Sequence, residues 1–219
     1  MSRLIRVLGG LATLGLLAGL AMAFAVAPRE ITQGNVQRIM YVHVPAVWVA
    51  YLAFLMVFVA SIAYLWTRSA CADRLAQAGA EVGVLFLGVN IATGSIWGKP
   101  TWGTWWTWDA RLTSVTVVFL IYVGYLLLRR MIDDQERAAR YAAILGILGA
   151  PNIYLVHVSV QWWRTLHQPP TLLKAGSATL APVFWWTILA NFAAFALLSA
   201  YFVAKRARLL RWEQEAAAR

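Results

Sequence analysis

Three histidines, His43, His157 and His167, and 12 tryptophans carry the chemistry this chain could perform. His43 lies in Tyr41-Val42-His43-Val44-Pro45, just ahead of an apolar run. Proline is tolerated at a helix start and pushes the residue before it toward an extended conformation, so His43 is expected at the mouth of a helix. His167 lies in Gln161-Trp162-Trp163-Arg164-Thr165-Leu166-His167-Gln168-Pro169-Pro170, where paired prolines end any helix. Between them runs Trp97-Gly98-Lys99-Pro100-Thr101-Trp102-Gly103-Thr104-Trp105-Trp106-Thr107-Trp108-Asp109-Ala110-Arg111. Two imidazoles from separate turns can approach one metal from opposite faces. Indole rings supply the flat apolar surface that receives a planar macrocycle by stacking and dispersion. Haem needs this combination of one or two axial protein ligands and an apolar pocket. Zinc suits the set less well, since no cysteine, third nearby ligand or His-x-x-x-His helix accompanies the pair.

Other readings of these residues stay open. A sterol or lipid-packing platform could use the same indoles. Ordinary interfacial enrichment of tryptophan would populate both membrane surfaces alike. Here only Trp66 and Trp212 fall on the side opposite the rest. The spacing of Trp102, Trp105, Trp106 and Asp109 puts all four on one face of a short surface helix entered at Pro100. Gly103 argues against that helix and for an irregular loop. Haem also carries two propionates, which planar guanidinium groups match. Of Arg38, Arg111, Arg164 and Lys99 in the outer loops, Arg38 and Arg111 are the favoured partners; Lys99 reads more simply as an interface anchor. Asp109 could orient Arg111 or cap a helix that starts near Leu112. His157 sits inside an apolar run and reads as a satisfied polar residue, a support for the ligands, or a substitute ligand.

The elements that position these residues are membrane helices. The chain has 219 residues, 61% hydrophobic and 13% charged, against the roughly 25% charged of a soluble domain. Six runs approach the roughly 20 apolar residues of a transmembrane helix, at about 8–27, 45–66, 76–96, 112–128, 141–160 and 180–204. The third carries Glu81 and the fourth is short. No run shows the period-2 alternation of a barrel strand. The expected fold is a single all-α membrane domain over 1–219, with six transmembrane helices and the Trp-rich loop at 97–111.

Most of the 19 Lys and Arg cluster at one set of ends: Arg3, Arg6, Arg68, Arg74, Arg129, Arg130, Arg137, Arg140, Lys205, Arg206, Arg208, Arg211 and Arg219. The opposite side keeps Arg29, Arg38, Lys99, Arg111, Arg164 and Lys174. Positive residues stay cytoplasmic, so both termini are expected inside and the Trp loop outside. The net charge of +10 then reflects orientation and anionic headgroups, with no soluble basic face for nucleic acid. Arg3, Arg6 and the small residues around Ala21-Met22-Ala23 also fit a signal peptide; the even span count favours a retained anchor. Cys71 stands alone, without a Cys-x-x-Cys motif. Gly98-Lys99 is followed by Pro100, so no nucleotide-binding Gly-x-x-x-x-Gly-Lys-[Ser/Thr] loop exists.

Taken together, Trp97-Gly98-x-x-x-Trp102-Gly103-x-Trp105-Trp106-x-Trp108-Asp109 resembles the tryptophan-rich "WWD" signature of haem-handling proteins that build c-type cytochromes. With the segments 40–45 and 161–168 and the short six-span form, the chain is similar to the cytochrome c maturation protein C, or haem exporter protein C, family. The resemblance runs from about Arg38 to the end of the sixth span. It implies a haem-delivery protein of the bacterial inner membrane, not an enzyme. His43 and His167 would be the external ligands of a transiently held haem b, and 97–111 its platform. It further implies hand-over to a membrane-anchored periplasmic haem chaperone. The implied assembly is of the ABC-transporter type, with an ATPase subunit, a second multispan subunit and a small single-span subunit. His157 has no counterpart in that pattern. Two alternatives remain: a transmembrane transporter subunit for haem or another solute, and an electron-carrying b-type cytochrome. Polar groups for a transport path are sparse, namely Asn90, Thr93, Ser95 and Asn191. Of the three histidines, only His157 is clearly inside a span.

Overall fold

In the computed structural model, which describes residues 3–167 and 180–217, all six apolar runs are helical and no strand occurs among the described residues. Helix α1 (Arg3–Ala21) closes in a π-helical turn at Met22–Val26. A 3-10 turn, Asn35–Ile39, leads into α2 (Met40–Thr67), followed by α3 (Ala70–Trp102) and α4 (Ala110–Met131). The fifth crossing is shared by α5 (Gln135–Gly149) and α6 (Pro151–Trp162), and the sixth is α7 (Pro182–Ala217). Six units are long and apolar enough to cross a membrane. The chain is an all-α, multi-pass integral membrane protein.

Each crossing is longer than the apolar run that announced it, and at the third this is because polar residues near its first end are paired inside the bundle. The third, expected over 76–96, begins at Ala70 behind the N-cap Ser69, whose side chain accepts from the Ala72 N–H. Asp73 in its first turn receives both arms of Arg129 at 2.6 and 2.8 Å, with about 10% of either side chain exposed. Glu81 accepts from Arg206 Nε at 2.6 Å. A carboxylate matched to a guanidinium can sit within a membrane bundle; an unmatched one could not. The fifth crossing, expected unbroken over 141–160, divides at Ala150. There Pro151 cannot donate to the preceding turn but fits the first position of a new helix.

α2 is central, packing against α3, α5 and α7, while α4 packs against α3, α5 and α6. Phe54 stacks flat on Tyr122, centroids 3.7 Å apart, within a core that includes Val57, Leu87, Val118 and Tyr125. α1 lies along α7, where Asn191 Nδ2 donates to the Gly19 carbonyl at 3.2 Å. Its other face exposes Leu11, Leu14, Leu17 and Phe24, as a lipid-facing surface does. Alternating crossings bring 27–39, 103–109, 163–167 and 180–181 to one end of the bundle. The Trp-rich stretch, His43 and His167 meet there.

Candidate functional site

His43 is not ahead of its helix but inside it. The 3-10 turn runs into α2 without a break, so Val44 is helical and Pro45 lies within the helix. The extended Val44 expected from the proline rule does not occur, because the turn upstream already commits the backbone to a helix. The half-buried His43 ring faces α3. Its Nδ1 lies 3.1 Å from the Asn90 carbonyl oxygen and 3.2 Å from Thr93 Oγ1. Asn90, itself buried, donates from Nδ2 to the His43 carbonyl at 3.1 Å. Asn90 and Thr93 appeared in the sequence only as sparse mid-membrane polar groups.

The Trp-rich stretch is the irregular alternative and not a short surface helix. α3 continues through Trp102 with Pro100 inside its last turn, so Pro100 does not precede a helix. Gly103 then adopts φ 78°, a left-handed value natural to glycine, and stops the helix. Trp102, Trp105, Trp106 and Asp109 therefore share no helical face. Trp97 and Trp102 ride on the end of α3, each against one histidine. Trp97 meets His43 edge-on, centroids 5.6 Å apart, and donates from Nε1 to Gln33 at 2.9 Å. Trp102 tilts against His167 at 6.0 Å. Beyond them Trp106 packs edge-on against Trp108, while the Trp105 and Trp108 rings stay exposed. Gly94, Ser95, Trp102, Trp106 and Leu112 line a narrow cleft of about 10 Å³, room for a single water. The Trp106 Nε1 donor is buried without a hydrogen-bond partner.

Asp109 ties the start of α4 to the segment that bears His167. Its Oδ1 accepts from the Leu112 N–H at 2.9 Å and caps α4; its Oδ2 accepts from the Leu166 N–H at 3.0 Å, next to His167. The cap is the second role foreseen for it; the bond to Leu166 had no signal in the sequence. Arg111, in the first turn of α4, donates to the Val156 carbonyl of α6 at 3.2 Å. His167 and Arg111 both lie within electrostatic reach of His43. Arg38 turns elsewhere. Its guanidinium donates to the Ala23 and Phe24 carbonyls at 2.7 and 2.9 Å, closing the end of the first crossing. His157 is exposed on α6, one residue beyond the buried Val156. Arg164 is exposed, and Lys99 donates to the Gly103 carbonyl. Gln168, the Pro169-Pro170 pair, Lys174 and Arg219 lie outside the described residues. Among the described residues no group of three or more His, Cys, Asp or Glu could hold a metal ion.

The family model described as Heme exporter protein C matches residues 1–219. A heme exporter protein C from Bradyrhizobium diazoefficiens is 42% identical over 189 residues, 85% of this chain and 72% of the relative. That of Escherichia coli K12 is 40% identical over 198 residues, 89% of this chain and 78% of the relative. A ccmC-like mitochondrial protein of cytochrome c biosynthesis from Marchantia polymorpha is 38% identical over 189 residues, 84% and 78% of the two chains.

Proposed function

The chain belongs to the heme exporter protein C family, and from that premise we propose that it is a haem-handling component of c-type cytochrome biogenesis, not an enzyme. It holds haem b transiently at the periplasmic face, with His43 and His167 as axial ligands and the Trp97–Trp108 rings as platform. A membrane-anchored periplasmic chaperone receives the haem when its own ligand displaces one histidine. ATP use belongs to an ABC-type ATPase subunit, acting with a second multispan subunit and a small single-span one.

One observation carries the reading. The end of α3 carries Trp97 against His43 and Trp102 against His167, so each imidazole has an indole beside it at the same end of the bundle. The cleft beside it is far smaller than the roughly 300–1,000 Å³ pockets that enclose a ligand. A flat macrocycle would therefore lie on the outer surface, against the exposed Trp105 and Trp108 rings. Arg111 offers a cation at the same end, and the unpartnered Trp106 Nε1 offers a donor.

Three of the four polar groups that a transporter path would need have other partners. Asn90 and Thr93 surround His43, and Asn191 donates to Gly19 and Thr187. The test is spectroscopic. Purified protein should show a haem Soret band that His43→Ala and His167→Ala each shift or abolish; an unchanged band in both variants overturns the ligand assignment.

A further inference from the structure

Four residues of α3, Asn90, Thr93, Gly94 and Trp97, recur at i, i+3, i+4 and i+7 and so share one helical face. All four touch the His43 ring or its backbone. Thr93 Oγ1 donates its one proton within its own helix, 2.7 Å from the Val89 carbonyl and 3.1 Å from that of Asn90. Toward His43 it can therefore only accept. The Asn90 carbonyl, 3.1 Å from the same Nδ1, can also only accept. Both contacts place the ring proton on Nδ1 and leave the Nε2 lone pair bare.

Asn90 Nδ2 lies 3.2 Å from both ring nitrogens. An atom in the ring plane and equally close to both would collide with Cε1 between them. Nδ2 therefore sits over the ring face, where it does not consume the in-plane lone pair. Gly94 allows this approach: a Cβ there would stand 2.9 Å from His43 Cε1. Trp97 closes the side edge-on, 5.6 Å between centroids.

We propose that this face of α3 is a cradle that fixes the orientation and tautomer of His43, with Nδ1 protonated and Nε2 free to ligate. The inference rests on His43 being a haem ligand. It makes Asn90 and Thr93 positioning residues, of the kind in which a metal-bound imidazole donates its other N–H to an oxygen acceptor.

The experiment uses the purified full chain with ferric haem as probe, read by equilibrium binding and by low-spin electron paramagnetic resonance, whose g values report axial-ring orientation. Thr93→Val keeps the shape and loses the acceptor; Asn90→Leu keeps the bulk and loses the amide. Thr93→Val should weaken binding by about 10–100-fold, the usual effect of removing an acceptor of a metal-bound histidine, and shift the g values. Asn90→Leu keeps the main-chain carbonyl but loses the Nδ2 bond to the His43 carbonyl and the contact over the ring, and should shift the g values. Thr93→Ser restores the hydroxyl and should restore both readouts, which a packing role would not require. Gly94→Ala should shift the g values by pressing on Cε1. If His43→Ala alters the spectrum while Thr93→Val and Asn90→Leu match the parent, the cradle is wrong and the ligand assignment stands. If His43→Ala leaves the spectrum unchanged, the ligand assignment falls and takes the cradle with it.

Discussion

Asp109 performs two separable tasks with its two oxygens, and substitution can split them. Oδ1 caps α4 through the Leu112 N–H, and Oδ2 holds the Leu166 N–H across the site. Alanine removes both. Loss of an N-cap costs about 1 kcal/mol of stability. Hydrogen bonds to charged groups contribute about 1.5–3 kcal/mol, and the exposed setting of the Leu166 bond puts it at the lower end. About 1.4 kcal/mol is a tenfold change in an equilibrium. Asparagine caps as well as aspartate but has one carbonyl oxygen, and its amide turns a donor toward the Leu166 donor. It forfeits only the charge–dipole part of the cap, about 0.3–1 kcal/mol. Asp109→Asn should therefore keep most of the cap but give up the Leu166 bond, losing about 2 kcal/mol of stability in detergent, and bind ferric haem about tenfold more weakly. Asp109→Ala should lose both stability and affinity. Parent-like haem binding by Asp109→Asn would refute the argument that this bond positions His167. Equal destabilisation of the two variants would refute the cap.

Two further outcomes concern residues outside the cleft. Arg129→Ala strands the buried Asp73 carboxylate and should cost about 3–5 kcal/mol in thermal unfolding, whereas replacing both partners by Leu and Met should recover most of it. Arg38→Ala releases the Ala23 and Phe24 carbonyls, so the haem-free protein should lose about 1.5–3 kcal/mol. A residue that only bound a propionate would leave the haem-free protein unchanged and alter haem binding alone.

The six crossings were legible because hydropathy marks them independently of any partner. Their ends were not. Asp73 and Glu81 look like the edge of a span until Arg129 and Arg206, distant in sequence, are seen to receive them. Pro151 did carry a signal for the break in the fifth crossing, and the apolar run around it concealed the division. Pro45 misled in the other direction. Its local preference was overridden by the turn at Asn35–Ile39, which has no strong sequence signature.

The site divides in the same way. Ring-bearing residues announce their chemistry by type, so His43, His167 and the Trp stretch could be singled out before any geometry. What holds them is largely backbone: the Asn90 and Val156 carbonyls and the Leu166 N–H, each contacted from 45 or more residues away. A backbone group has no residue identity, and no composition or motif points to it. The α3 face of Asn90, Thr93, Gly94 and Trp97 is different, because its helical period is written in the side chains. A hydrophobic reading averages that period away, since two small polar residues and a glycine look like weak spots in a span. Set against a histidine, the same weak spots are where α3 both admits an imidazole and hydrogen-bonds it.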